Sequence, residues 1–372
     1  MRNLFIIVAV FFCAHCFSQD KFLFIGTYTG KGSKGIYVYR FNAATGEATW
    51  VSNTDSATAT NPSFLSVSPS GKFLYAVYEE GGQKNGNVSA FSFDKVNGRL
   101  AFLNKQPSGG DHPCFVASTK DNKWVLAGNY TGGSLAAFRT NKDGSVQPPA
   151  QIIKHKGSSV NTGRQEKPHV HATFFSPAED HVLVPDLGTD KLMIYKFNAA
   201  AKEPLVPTAQ AFAASEPGSG PRHLTFSPNG KFVYLIEELT GAVTVYNYNK
   251  GKLNFVQKAF THPKDFQGKP GSADIHISPD GKFLYASNRG EENNLAIFSV
   301  NGASGKLSAV GYQPTMGTAP RNFMIDPTGN FLLVANQNTN NVVIFKRDKK
   351  TGLLTPTSKQ IEIPNPVCLK ML

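Results

Sequence analysis

The sequence predicts an all-β fold, a seven-bladed β-propeller with four antiparallel strands in each blade. The first observation is a repeat, because Pro177, Pro228 and Pro279 are each 51 residues apart and Pro327 follows 48 residues later. The second is that every repeat holds apolar strands and turns rich in Gly and Pro, with no helical pattern. A period near fifty residues filled with strands is typical of propeller blades.

Each blade is predicted from one phrase, an apolar strand, Ser-Pro-x-Gly and a second apolar strand. Clear copies begin at Ser68, Ser227, Ser278 and Asp326, looser copies at Ser118 and Ser176, and a partial copy at Phe22. In the repeat near residue 221 we expect strands A, B and C over 222–227, 231–237 and 243–248, with strand D after the turn at 249–252. Pro and Gly occupy the turns, where fixed or positive φ angles are needed.

The two ends of the chain predict how the ring closes. The first blade begins with its second strand, at residues 22–28, and so lacks an innermost strand. The C-terminal residues 366–371 have the spacing of the innermost strands at 62–67 and 221–226. We therefore expect the C-terminal strand to complete the first blade and to remove an exposed sheet edge.

The first eighteen residues are expected to lie outside the fold. Arg2 precedes an apolar run at 4–12 that is too short to span a bilayer, and a small residue, Ser18, stands before Gln19. The segment predicts a cleaved secretory signal, which leaves residues 19–372 as a single propeller domain of a periplasmic or secreted protein without membrane attachment. A lipid anchor on Cys13 or Cys16 is the alternative.

Bulk properties limit the partners and cofactors. The formal net charge is +12, or +11 without Arg2, which favours an anionic partner. Nucleic acid is not expected, because no basic stripe is interleaved with aromatic residues. No cofactor is expected either: the G-x-G-x-x-G at 30–35 precedes a strand rather than a helix. His169 and His171 share a strand face without further ligands in a metal-binding pattern. The sequence does not fix the oligomeric state, and a monomer is the expectation.

Strand geometry predicts where a site lies. Strands A and B form a hairpin, so the beginnings of the A strands and the ends of the B strands meet at the end opposite the Ser-Pro-x-Gly turns, beside the central channel. Polar residues occupy these positions: His169, His171, Arg222, His223, Glu237, Glu238, Asp274, His276, Asn288, Arg289, Arg321, Asn322, Asn336 and Gln337. Two long connections, 151–167 and 261–271, add basic residues at the same end. This positive funnel suits a carboxylate or phosphate on a small ligand.

Four motifs carry a resemblance to a known family. PHVHATFFSP, GPRHLTFSP, SADIHISPDG and PRNFMIDPTG, in this order, resemble the lactonase family of seven-bladed propellers, which contains bacterial 6-phosphogluconolactonases and fungal carboxy-muconate cyclases. The resemblance implies catalytic roles for His171, Arg222, Glu238 and Arg289. The chain departs from the family pattern at Glu237, where Asn is expected, and at Asp274, where Glu is commoner.

Lactone opening needs a base for water, a cationic clamp for the oxyanion and a proton for the ring oxygen. Glu238 or His171 is suited to acid and base work, with Glu237 as a competitor, and Arg222 and Arg289 are suited to the clamp because they stay charged. The remaining polar residues of the funnel are expected to contact substrate or to support the channel: His169, His223, Glu237, Asp274, His276, Arg321, Asn336 and Gln337.

The function that the resemblance implies, and with which these residues agree, is hydrolysis of a small sugar or anionic lactone without a cofactor. No G-x-S-x-G motif occurs, which argues against a serine hydrolase. Two alternatives remain open, a muconate-type cyclase or isomerase that needs the same arginines, and a ligand-binding propeller without turnover. A secretory signal conflicts with a phosphorylated sugar substrate. Either the substrate is an unphosphorylated lactone met outside the membrane, or the resemblance to the family overstates the match.

Overall fold

The computed structural model describes residues 20–82 and 86–372. Within these residues, 28 strands form seven four-stranded antiparallel sheets, the blades of a propeller. The predicted fold class is confirmed. The proposed leader, residues 1–18, lies outside the described residues. In the part that is described, no helix has the length and apolarity needed to cross a membrane.

The strands of the first four blades follow the chain from the inside of the ring to the outside, apart from the innermost strand of blade one. They are β1 (Asp20–Thr27), β2 (Ile36–Asn42), β3 (Ala48–Asn53); β4 (Leu65–Val67), β5 (Phe73–Tyr78), β6 (Asn87–Asp94), β7 (Arg99–Pro107); β8 (Pro113–Ser118), β9 (Trp124–Asn129), β10 (Ser134–Thr140), β11 (Val146–Lys154); β12 (Phe174–Phe175), β13 (His181–Asp186), β14 (Lys191–Phe197) and β15 (Leu205–Ala214).

The last three blades and the closing strand continue the pattern. They are β16 (Pro221–Phe226), β17 (Phe232–Glu237), β18 (Ala242–Asn249), β19 (Lys252–Phe260); β20 (Ser272–Ile277), β21 (Phe283–Asn288), β22 (Asn294–Val300), β23 (Leu307–Pro314); β24 (Pro320–Ile325), β25 (Phe331–Asn336), β26 (Asn341–Arg347), β27 (Leu354–Glu362); and β28 (Pro366–Met371). The strands predicted in the repeat near residue 221 agree with β16, β17 and β18 to within one residue at each end.

The C-terminal strand closes the ring as predicted. β28 pairs with β1 in antiparallel register, with Leu23 opposite Met371 and Thr27 opposite Pro366. The pairing extends one residue further, where the amide of Leu372 donates to the carbonyl of Phe22 at 2.9 Å. β28 also packs against the inner strands β24 and β4 of its two neighbours. The first and last segments of the chain therefore share one sheet.

Hydrogen bonds explain why the Ser-Pro-x-Gly phrase recurs from blade to blade in this chain. The hydroxyl of Ser227 accepts the amide of Phe232 at 2.9 Å, which satisfies the first N–H of the following strand. Asp326 takes the same role with its carboxylate, 2.7 Å from the amide of Phe331. Gly230 adopts φ +68°, a value that favours glycine. The phrase therefore fixes the turn of the A–B hairpin, so the beginning of strand A and the end of strand B lie together beside the channel.

The inner strands share an irregularity next to the channel. In β16, Pro221 lies opposite Glu237 and His223 opposite Ile236, so Arg222 is an extra residue without a partner in β17. The same bulge in β8, β24 and β28 leaves Cys114, Arg321 and Val367 unpaired. A β-bulge bends the strand and redirects a side chain. This irregularity determines which residues face the axis.

Candidate active site

Two positions in each blade build the site. The first is the bulge position near the start of the innermost strand. In order from blade two to blade seven, and then in blade one, this position is occupied by Ser63, Cys114, His171, Arg222, Ala273, Arg321 and Val367. The second is the residue directly after the second strand of the hairpin, and it holds Tyr28, Glu79, Tyr130, Leu187, Glu238, Arg289 and Gln337. Because the sheets radiate from one axis, these residues converge.

The convergence produces a polar cavity of about 260 Å³. Eight of its nine lining residues occupy the two repeated positions, and the ninth, Arg164, comes from the long connection between β11 and β12. The lining residues are Tyr28, Glu79, Cys114, Tyr130, Arg164, His171, Glu238, Arg289 and Arg321. A void of about 10 Å³ adjoins the cavity and shares Cys114, His171 and Arg321 with it.

Glu238 is the electrostatic centre of the cavity. Its Oε1 accepts Arg164 Nη2 at 2.6 Å, and its Oε2 accepts Arg222 Nε at 2.9 Å and lies 3.2 Å from Arg289 Nη2. Burial opposes ionisation, but the guanidinium groups of Arg289, Arg222 and Arg164 outweigh burial and hold the pKa of Glu238 well below its usual range. The carboxylate is therefore ionised at every physiological pH.

The three arginines around Glu238 differ in their access to the cavity. The side chain of Arg164 is 43% exposed and that of Arg289 is 20% exposed, whereas that of Arg222 is 2% exposed. Arg222 also donates its Nη1 to the carbonyl of Ala273. Arg164 and Arg289 can therefore contact a ligand while still bonded to Glu238, and Arg222 acts from behind the carboxylate.

The connection that carries Arg164 is firmly anchored. Ser159 donates its hydroxyl to Asp190 Oδ2 at 2.6 Å, and the side-chain Nε2 of Gln165 donates to the carbonyl of Leu187 at 2.8 Å. Asp190 also accepts the backbone amides of Gly218 and Gly220, from the short connection between β15 and β16, at 2.6 and 2.7 Å. Arg164 therefore projects from a fixed turn rather than from a loose loop.

A second carboxylate, Glu79, lies on the other side of the cavity. It accepts the hydroxyl of Tyr28 at 3.0 Å and that of Ser63. The guanidinium of Arg321 lies over the Tyr28 ring, 5.5 Å from its centroid. Burial works against the charge of Arg321, but Tyr28 and Glu79 outweigh burial and raise its pKa, so Arg321 remains a cation. Burial raises the pKa of Tyr28, which stays a neutral hydroxyl.

His171 and Cys114 form the boundary between the cavity and the void. The Sγ of Cys114 lies 3.8 Å from His171 Nδ1 and 3.3 Å from the His171 carbonyl. Burial, followed by the charge of Arg222, lowers the pKa of His171 well below its usual value. Burial likewise raises the pKa of the Cys114 thiol. This pair is therefore a neutral imidazole beside a neutral thiol, not a thiolate–imidazolium pair.

A hydrogen-bonded group of two histidines and a carboxylate fills the channel beyond the void. Asp274 Oδ1 accepts His223 Nδ1 at 2.8 Å, and its Oδ2 accepts His276 Nε2 at 3.0 Å and the amide group of Asn322. From the sequence, all of these residues were expected at one rim. The structure places His223 at the void and His276 on the far side of Asp274, beside the turn residues Pro228 and Pro279.

Four other predicted residues do not line the cavity. Glu237 faces away from it, where it accepts Thr244 Oγ1 at 3.0 Å and lies 3.3 Å from Lys258 Nζ. His169 stacks on Tyr130, with the ring centroids 4.4 Å apart. Asn336 donates to the carbonyl of Thr315 at 3.0 Å. Gln337 occupies the second repeated position but is not among the lining residues of the cavity.

Several lining residues were not singled out in the sequence analysis as site residues. They are Tyr28, Glu79, Cys114, Tyr130 and Arg164. The first four occupy the two repeated positions, so an alignment of the blades on Arg222 and Glu238 would have found them. Arg164 belongs to no repeat, and only its place in a basic connection hinted at a role.

The charges of the cavity favour an anion. Three guanidinium groups, those of Arg164, Arg289 and Arg321, face two carboxylates, and the guanidinium of Arg222 lies directly behind. Across the described chain, no group of three or more His, Cys, Asp or Glu side chains is arranged to hold a metal ion. The guanidinium, carboxylate and imidazole groups of the cavity can provide anion binding, oxyanion stabilisation and proton transfer.

Fold and site together define a class of protein, lactone hydrolases built on a seven-bladed propeller. The chain belongs to the family described as lactonase, 7-bladed beta-propeller, whose family model matches residues 22–371. A protein of Formosa agariphila named 6-phosphogluconolactonase is 41% identical over 94% of this chain and 99% of its own length.

Two solved structures are similar over the whole propeller. A crystal structure from Bacteroides fragilis, provisionally assigned as a 6-phosphogluconolactonase, superposes with a TM-score of 0.90 at 43% identity and covers 95% of this chain and 98% of its own. The periplasmic gluconolactonase of Pseudomonas aeruginosa superposes with a TM-score of 0.90 at 37% identity and covers 95% of this chain and 99% of its own.

Proposed function

We propose that this enzyme hydrolyses a small sugar lactone that carries an anionic or strongly polar substituent. The observation that carries the proposal is the ionised Glu238 held by three arginines, two of which also face a cavity of about 260 Å³. This volume lies just below the range of drug-sized sites and suits a single sugar ring. Relatives named 6-phosphogluconolactonase and gluconolactonase support the same substrate class.

The arginines divide the work by their position. Arg164 and Arg289 are partly exposed and hold the polar or anionic end of the substrate. Arg321 borders both the cavity and the void, so it stabilises the negative charge that develops on the carbonyl oxygen as water attacks. Arg222 contacts Glu238 rather than the cavity and is a positioning residue.

Glu238 acts mainly by organising its arginines. A carboxylate whose pKa is strongly lowered is a weak base, because proton affinity and general-base efficiency fall together. Glu237 faces Lys258 and has no access to the cavity. His171 is neutral and lines the cavity, which suits it to hydrogen bonding with the ring or carbonyl oxygen of the lactone.

The compartment bears on the substrate. The apolar N-terminal segment at 4–12 supports export, and a periplasmic gluconolactonase is among the solved structures that this chain resembles. We therefore propose an exported enzyme and an unphosphorylated sugar lactone as the preferred substrate.

A panel of lactones tests the proposal. The purified mature chain is assayed in a pH-stat on glucono-δ-lactone, its 6-phospho derivative and an uncharged aliphatic lactone, with the spontaneous rate subtracted. Arg289→Ala should lower kcat/KM about 10- to 100-fold, since a charge-assisted hydrogen bond contributes about 1.5–3 kcal/mol. Arg139→Ala is the matched control, because Arg139 stacks on Trp124 outside the cavity. Wild-type protein without turnover above background on every lactone would refute the proposal.

A further inference from the structure

A buried histidine in the channel, His223, has a fixed tautomer. His223 is 4% exposed, and its Nδ1 lies 2.8 Å from Asp274 Oδ1. Asp274 is held in turn by His276, by Asn322 and by the bond from its own amide to the hydroxyl of Ser287. An ionised carboxylate only accepts hydrogen bonds, so the hydrogen resides on Nδ1 of His223 and its Nε2 keeps a lone pair.

This second nitrogen has no partner. Among residues 20–82 and 86–372, no group forms a hydrogen bond with His223 Nε2, although the atom is buried. The rings of Phe64 and Phe115 stand edge-on to the imidazole at 5.7 and 5.5 Å between centroids and exclude bulk solvent. A buried acceptor without a partner is costly unless a water molecule satisfies it.

The void beside His223 has the size and polarity for one water molecule. Its volume is about 10 Å³, near the minimum that can hold one water molecule. Besides His223, polar groups of Ser63, Arg222, Arg321 and Asn322 line it. A water there has an acceptor in the imidazole and donors in the guanidinium groups. Because Arg321 and His171 border both spaces, this water lies next to the substrate cavity.

We propose that His223 and Asp274 are the general-base pair of the enzyme and that the void holds the water that attacks the lactone. This inference rests on the proposed lactonase function. It assigns His223 as a catalytic residue and Asp274 as the residue that fixes its tautomer.

The step balances without a cofactor. His223 Nε2 takes one proton from the water as the water oxygen bonds to the carbonyl carbon. When the ring C–O bond breaks, the imidazolium returns that proton to the departing alkoxide, and the product is a hydroxy acid. Asp274 stabilises the imidazolium in between, as the acid of a His–Asp pair does.

The other candidates fit the role of base less well. Three guanidinium groups already occupy Glu238, and His171 has Cys114 rather than a carboxylate beside its Nδ1. Burial and then Arg222 lower the pKa of His223 to about 4, which weakens the imidazole as a base but keeps it neutral at neutral pH. Its advantage over Glu238 is geometric, because Nε2 of His223 has no partner and Asp274 lies 2.8 Å from Nδ1, where it can stabilise the imidazolium. The groups that face it are Arg222 on its own strand, Asp274 and His276 on β20, and, from other blades, His171, Cys114 and Arg321.

Two variants test the pair against a matched control. His223→Gln and Asp274→Asn keep the shapes of the side chains but remove the base and its orienting charge. The control is His181→Gln, since His181 is also buried and lies 2.9 Å from a carboxylate oxygen, that of Asp180, but lines neither the cavity nor the void. Steady-state kinetics give kcat and KM, and calorimetry with the hydroxy-acid product gives binding.

His223→Gln and Asp274→Asn should each lower kcat about 100-fold or more, with KM and product affinity changed less than about 3-fold. The acid limb of the wild-type pH profile should vanish in His223→Gln, leaving a rate that rises with hydroxide. His181→Gln should retain wild-type kcat. If His223→Gln does not fold, the near-isosteric Asp274→Asn carries the test alone.

Two failures are distinguishable. An active wild type together with undiminished kcat in the folded variants would overturn the base pair and leave the lactonase proposal intact. A purified wild type that opens no lactone would remove the proposed function itself.

Discussion

Removal of the closing strand should unfold the propeller. β28 buries Val367, Cys368 and Leu369 almost completely, and five of its residues pair with β1. Burial of a Val or Leu side chain stabilises by about 1.5–3 kcal/mol, and each backbone hydrogen bond adds about 1 kcal/mol. The strand therefore contributes on the order of 10 kcal/mol, which equals the whole stability of a typical domain. Its loss also exposes the apolar faces of β24 and β4.

The assay compares a chain of residues 19–372 with the same chain lacking residues 366–372. The truncated chain should be recovered in aggregates, or as a species that binds a hydrophobic dye and melts without cooperativity. Circular dichroism melts and size-exclusion chromatography measure these outcomes. A soluble truncated protein with the melting temperature of the intact chain would refute the closure argument.

A circular permutant separates strand loss from simple shortening. Met371 lies opposite Leu23, so a short glycine-rich turn can join the C-terminus to residue 20. A chain that begins near residue 363, runs through β28 and this turn into β1, and ends at 362 keeps every strand. It should melt within a few degrees of the intact chain, because only the connectivity has changed.

Three further predictions concern the site and the thiols. The lowered pKa of Glu238 contributes stability that is fully present above the unfolded pKa of about 4.3 and is lost progressively as the pH falls below it. The urea midpoint of Glu238→Gln should therefore be lower than that of the wild-type chain at pH 7. Between pH 5 and pH 3 it should fall less than the wild-type midpoint does. A Cβ at Gly188 would collide with a backbone carbonyl of the connection that carries the cavity arginine, so Gly188→Ala should raise KM, whereas Gly302→Ala, which has open space, should not. Cys114 and Cys368 are both buried, and burial raises the pKa of the Cys114 thiol and that of Cys368 to about 11. A thiol reagent should therefore label a chain of residues 19–372 only after denaturant is added.

The fold was predictable because its determinants are local and repeated. The Ser-Pro-x-Gly phrase encodes a hairpin through the hydrogen bond that the amide of Phe232 donates to the hydroxyl of Ser227 and through the positive φ of Gly230. Each copy adds one hairpin at a constant spacing, so the number of blades follows by counting. The closing strand was found for the same reason, since residues 366–371 repeat the spacing of the other inner strands.

The site was predictable in its location and only partly in its members. Hairpin geometry predicted that the site lies at this rim, but neighbouring residues at the rim point to opposite faces of their sheet. Glu237 and Glu238 are neighbours, and side chains alternate in an extended chain, so one faces Lys258 and the other the cavity. His276 shares a face with Asp274 but lies two residues further along the strand, which carries it past the void. Arg164 depends on the path of a long connection, which no repeat encodes.

The β-bulge in the inner strands places the pocket residues outside the backbone pairing that sets the register of each blade. Since Arg222 and its counterparts have no partner across the hairpin, their identity imposes nothing on sheet register. Neighbouring blades of this chain accordingly carry a thiol, an imidazole and a guanidinium at one equivalent point. A saturation library confined to these points and to the residue after each second strand would sample new substrate ranges on an unaltered scaffold.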